Sequence, residues 1–109
     1  MKSKTATIRE LNDTLRRTLT GGQIVITRGI ASLPEPDRIA ILDAVMNFDT
    51  FTEDNDPRQE HDFATAEVGG QTIFWKIDYY DLEMRFLSPD PSDPEVTRRV
   101  LTIMLASEY

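Results

Sequence analysis

Apolar residues recur every three or four positions near the start of the chain, at Ile8, Leu11, Leu15 and Leu19. That is the spacing of one face of a helix. Thr7-Ile8-Arg9-Glu10 has the form of a capping box, in which a hydroxyl and a carboxylate satisfy free N–H groups of a first turn. Gly21-Gly22 supplies the stop, because glycine tolerates the left-handed conformation after a last turn. Gln23 to Thr27, centred on Ile24-Val25-Ile26, reads as a short buried strand. Ser32-Leu33-Pro34-Glu35 repeats the capping pattern ahead of Ile39, Leu42 and Met46, with Ile41, Val45 and Phe48 widening the stripe. A second helix is expected from Pro36 to Phe48.

Between Asp49 and Asp62 no period survives, and Asp54-Asn55-Asp56-Pro57 is dense in turn formers. Long irregular stretches inside a small domain are often its working parts. Phe63–Val68 and Gln71–Tyr79 flank Gly69-Gly70 and read as a hairpin. Alternation puts Ile73, Trp75, Ile77 and Tyr79 on one face and Phe74, Lys76, Asp78 and Tyr80 on the other. Leu82, Met84 and Phe86 alternate with Glu83 and Arg85 and predict a further strand, ended by Ser88-Pro89-Asp90-Pro91. Ser92-Asp93-Pro94-Glu95 is a third capping box, and Val96, Val100, Ile103 and Met104, with Leu101 and Leu105, predict a last helix reaching Ala106. The order αβαβββα describes a single α+β domain over residues 1–109. It has an antiparallel sheet of about four strands with three helices packed on one side.

A chain of 109 residues is long enough to bury one core without a metal or a disulfide. Cysteine is absent, which removes disulfides, thiol nucleophiles and thiolate metal sites. The polar start and the lack of a long apolar run lead to the expectation of a cytoplasmic protein with no membrane contact. The net charge of −7 is unevenly spread. Residues 1–31 carry six basic and two acidic side chains, residues 32–95 four basic and sixteen acidic, and residues 96–109 two basic and one acidic. Such an acidic field disfavours direct nucleic-acid binding and favours a protein partner with a basic surface.

Longer runs carry a family resemblance. Asn55-Asp56-Pro57, Glu60-His61-Asp62-Phe63, Ile73-Phe74-Trp75-Lys76-Ile77-Asp78-Tyr79-Tyr80-Asp81 and Thr97-Arg98-Arg99-Val100-Leu101-Thr102-Ile103-Met104-Leu105-Ala106 resemble a small bacterial family, domain of unknown function 3768. Leu15-Arg16-Arg17 and Gly22 before Ile24-Val25-Ile26-Thr27 also fit. The resemblance implies alphaproteobacterial origin and frequent carriage on plasmids or other mobile elements. It implies no established activity.

Glu60-His61-Asp62 holds the only histidine, and flanking acids favour its charged form. It is either a general base in a small metal-dependent hydrolase or a residue that fixes its own loop. Zinc is disfavoured by one histidine and no cysteine. An oxygen-rich site would draw on Asp54, Asp56, Glu60, Asp62, Asp78 and Asp81, yet their spacing matches no helix–loop–helix calcium loop, and no metal or cofactor is expected. Trp75, Tyr79 and Tyr80, with Asp78 and Asp81 beside them, have the character of a protein interface, where aromatics and charge pairs concentrate. The glycine pairs lack the residues of a phosphate loop, and there is no Gly-x-Ser-x-Gly elbow. The expected function is therefore a non-enzymatic binding module of plasmids or mobile elements, such as an inhibitor of a restriction or CRISPR nuclease. The alternative is the metal-dependent hydrolase. Self-pairing of an exposed aromatic strand would give a homodimer.

Overall fold

Residues 2–109 are described by a computed structural model. Helix α1 (Lys4–Thr18) starts before the Thr7 signal, because Ser3 has the extended backbone a cap needs and its Oγ accepts the Ala6 N–H at 3.1 Å. Thr7 sits inside the helix, its hydroxyl donating back to the Ser3 carbonyl. The helix closes at Leu19, a left-handed residue (φ 59°) whose N–H donates to Leu15 O. Strand β1 (Gln23–Ile26) follows, then a short helix α2 (Arg28–Ala31) that the periodicity does not signal, then α3 (Glu35–Met46). Ser32 does not cap α3, since its hydroxyl donates back to the carbonyl of Arg28, the first residue of α2, and Pro34 occupies the cap position.

The hairpin forms as expected, with β2 (Phe63–Val68) and β3 (Gln71–Tyr80) joined by two glycines of positive φ. Two other elements differ from their predicted form. Leu82–Phe86 is not a strand. Asp81 gathers it into a closed turn, donating its N–H to Phe86 O at 2.9 Å and accepting the Arg85 N–H at its carboxylate at 3.0 Å. Only an isolated bridge between Tyr80 and Leu87 remains. The expected C-terminal helix is strand β4 (Arg98–Leu105), followed by a single 3-10 turn (Ala106–Glu108). The Ser92-Asp93-Pro94-Glu95 box becomes a turn in which Asp93 caps the Glu95 N–H.

β4 lies in the middle of the sheet, whose order is β1-β4-β3-β2. β4 pairs antiparallel with β3 and parallel with β1, so the sheet is mixed rather than purely antiparallel. Among the described residues the α+β class with three helices and a four-stranded sheet stands, with the fourth strand and one helix placed differently. β3 has a neighbour on each side, so the aromatic strand is not an edge open to self-pairing.

The three helices cover one sheet face, where Leu15, Ile30, Ile41 and Val45 pack on Ala64, Ile73, Trp75, Ile77, Leu101 and Ile103. The opposite face carries the edge-on cluster of Phe63, Phe74 and Tyr109. β2 begins, β3 ends and β4 begins at one end of the sheet. That geometry brings both long acidic connections, residues 49–62 and 81–97, to the same end. They hold six acids with one arginine and five acids with one arginine.

Candidate functional site

The entry to β2 is built on α1. Asn12 and Arg16 stand one turn apart on its inner face, and both are fully buried. Arg16 Nη1 donates to the carbonyls of Val45 (3.0 Å), Met46 and Phe48 (2.6 Å), at and just beyond the end of α3. Its Nη2 donates to Asp13 Oδ1 at 3.1 Å, and the guanidinium lies over the rings of Phe51 and Trp75. Burial pulls the Arg16 pKa below its ordinary value, and the adjacent Asp13 opposes that pull.

His61 closes the loop onto this base. Its Nδ1 lies 2.8 Å from Asp13 Oδ1, and because a carboxylate only accepts, the ring carries its proton there. Its backbone N–H donates to the buried Asp56 carboxylate at 3.1 Å, and Nε2 faces Asp56 Oδ2 at 3.5 Å. The ring stacks on Phe51 with centroids 3.7 Å apart. Gln59 and His61 both adopt positive φ, so the side chains hold a tight, strained path. Asp56 and His61, with Arg9, Phe51, Glu53 and Gln59, border an open cleft of about 450 Å³.

A second network lies alongside. Arg99 of β4 donates to Asn12 Oδ1 at 2.7 Å, and Asn12 Nδ2 donates to Tyr79 Oη (2.8 Å) and Glu60 O (2.9 Å). Tyr79 Oη in turn donates to Glu60 Oε1 at 2.8 Å. Burial raises the Tyr79 pKa, with the Glu60 carboxylate adding to it, so the phenol stays protonated and donating.

The candidate residues thus separate. Asp56, Glu60, His61 and Tyr79 converge, but as ties between α1, the loop and the sheet. Trp75 is wholly buried in the core, so no partner reaches it. Asp78 belongs to the other sheet face, where it pairs with Lys76 at 2.9 Å, and it shares a depression with Asp62 and Arg58. His61 and Asp78 therefore lie on opposite sides of the sheet. Among the described residues, no three His, Asp or Glu side chains are placed to hold a metal ion. Asp54 is exposed, Tyr80 is half-buried, and Asp81 is occupied in its own turn.

Residues outside the predicted site carry more. Asn12, Asp13, Arg16 and Arg99 tie the loop end together, and polar residues inside the α1 stripe were the available signal. The loop after β3 presents Leu82, Met84, Phe86 and Leu87 with exposures between 43% and 78%. Acids surround this loop end, with Asp49, Glu53, Asp54, Glu83 and Glu95 exposed.

Among the described residues, no helix is long and apolar enough to cross a membrane. No curated protein and no solved structure matches the chain. A family model does match, over residues 26–108, and its description is a protein of unknown function, DUF3768. On a match of that extent, the chain belongs to the DUF3768 family.

Proposed function

We propose that the chain is a non-enzymatic protein-binding module whose working surface is the loop end of the sheet. The observation that carries this reading is the group Leu82, Met84, Phe86 and Leu87, four exposed apolar side chains on one hydrogen-bonded loop. Large apolar side chains gathered on a surface and rimmed by polar ones are characteristic of interaction sites. The acids around them suit a partner with an apolar centre and a basic rim, and charge of this kind speeds and orients encounter. The apolar centre favours contact with a protein surface over simple imitation of a phosphate backbone. On this reading the module serves a plasmid or other mobile element, and a nuclease with a basic cleft is a fitting target.

Affinity purification of the tagged chain from its host, with mass spectrometry, tests the proposal against a Phe86→Asp, Leu87→Asp variant. The expected result is a protein recovered by the native chain and lost by the variant. Both residues are exposed, so the variant keeps its melting temperature. Equal recovery of the same proteins by both chains would overturn the proposal.

A further inference from the structure

A second surface lies on the far edge of the sheet. Among the described residues β1 is an outer strand, paired only with β4. Thr27 donates its N–H to Ile103 O at 3.1 Å. In a parallel ladder both backbone groups of a residue point the same way and successive residues alternate. The N–H and C=O of Ile24 and Ile26 therefore point outward, away from β4. Proteins blunt such edges with lysine, proline, bulges or a covering element. Gln23-Ile24-Val25-Ile26 has neither charge nor proline, and Ile26 is 45% exposed.

The helix-side flank of this edge is a groove of about 290 Å³ between β1 and α3, lined almost wholly by aliphatic side chains. Ile30 and Ile103 contribute to it from the core, and Ile26 and Ile39 border it from strand and helix. Ile39 stands 60% exposed although it is aliphatic. The one charged group of the lining is Arg38. Its Nη1 donates to Leu33 O (2.7 Å) and Ala31 O (3.4 Å). Among the described residues no carboxylate pairs with it, so its remaining N–H groups are available.

We propose that β1 and α3 form an acceptor site for an extended peptide segment of a partner protein, with apolar residues at alternate positions and a carboxylate that meets Arg38. The three observations specify the occupant separately. The unpaired backbone groups of Ile24 and Ile26 call for another strand. The aliphatic groove takes every second side chain of that strand, as strand-addition recognition does. The guanidinium, which has no carboxylate partner among the described residues, selects an acid, since a charge-assisted pair with a carboxylate is the strongest bond it makes. A second copy of this chain fits less well. Pairing two β1 edges about a two-fold axis brings together two identical grooves whose lining supplies no carboxylate. This surface is separate from the loop end, so either can fail without the other.

The test is selection of displayed random-sequence peptides on the immobilised chain, followed by titration of a selected synthetic peptide and amide exchange. The selected peptides are expected to alternate apolar residues and to carry Asp or Glu. Binding slows exchange at the Ile24 and Ile26 amides. Arg38→Glu weakens the selected peptide roughly tenfold and reverses the preference toward a version with Lys in place of the acid. Ile26→Lys abolishes binding, while Phe86→Asp leaves it unchanged. Thermal melts confirm that each variant is folded. Failure to enrich any peptide, selected sequences without alternation, or equal binding by Arg38→Glu would overturn the proposal. So would a native dimer that Ile26→Lys dissociates, because a second copy would then own the edge.

Discussion

His61 Nδ1 lies 2.8 Å from Asp13 Oδ1, and the same oxygen accepts from the buried Arg16. One carboxylate on α1 thereby joins the acidic loop to the end of α3. Arg16→Met removes the donor to three carbonyls at the end of α3, of which Val45 O keeps only the Phe48 N–H at 3.4 Å. Urea denaturation is expected to show a loss of about 3–5 kcal/mol, the usual cost of breaking a buried charge network from one side. His61→Ala removes one bond and a stacked ring. Its expected cost is about 1 kcal/mol, with faster amide exchange confined to residues 49–62.

Asp62 has the opposite relation to its surroundings. Burial holds its carboxyl above the usual carboxylate range, and Arg58 offsets this in part. A folded pKa above the unfolded one means that the folded state takes the proton more readily, so stability falls as pH rises between the two values. Asp62→Asn is expected to raise the melting temperature near neutral pH. The gain disappears in acid below the unfolded pKa, where Asp62 is already neutral. Melting curves of both chains across the acid range check this, and an unchanged or lower melting temperature at neutral pH would contradict it.

Glu108 carries the reverse sign. Its carboxylate accepts from the Thr27 hydroxyl (2.6 Å), the Leu105 N–H (2.9 Å) and the Gly29 N–H (3.0 Å), joining the C-terminal turn to the start of α2. The Thr27 hydroxyl, with these backbone donors, lowers its pKa. The stabilisation is present above the unfolded pKa and is lost as pH falls through the folded one. Glu108→Gln is expected to lower the melting temperature at neutral pH and to converge with the native chain in acid. Amide exchange at Gly29 should quicken in the variant at neutral pH only.

Gly22 lies where α1 turns back against β4. A Cβ there would stand 2.6 Å from Arg99 O and 2.9 Å from Leu15 Cδ2. Gly22→Ala is expected to cost about 1–3 kcal/mol in thermal denaturation, as overpacking of a fixed backbone contact does. Because Arg99 belongs to the Asn12 network, the Tyr79 hydroxyl environment should shift with it.

The missed α1 contacts show why the site was only partly legible. The stripe Ile8, Leu11, Leu15, Leu19 predicts the inner face, yet the buried residues are Ile8, Asn12, Leu15 and Arg16. A polar residue enters a core only when partners await it, and here these are Val45, Phe48, Glu60, Tyr79 and Arg99, all distant in sequence. His61 was visible as a singular residue. Its orientation toward Asp13, on another element, was not.

The sequence by itself determined part of the local structure. Helices α1 and α3 follow from their helical period, and the β2–β3 hairpin follows from alternation across two glycines, all signals contained in a few neighbouring residues. The tertiary structure alone decided the role of residues 98–105. A central strand buried on both faces loses its alternation and reads as a plain apolar run, so strand and helix are indistinguishable until β1 and β3 supply its partners. It also decided that Leu82, Met84 and Phe86 face solvent. Asp81 closes their segment into a turn through its backbone and its carboxylate, and the expected strand becomes an exposed apolar loop.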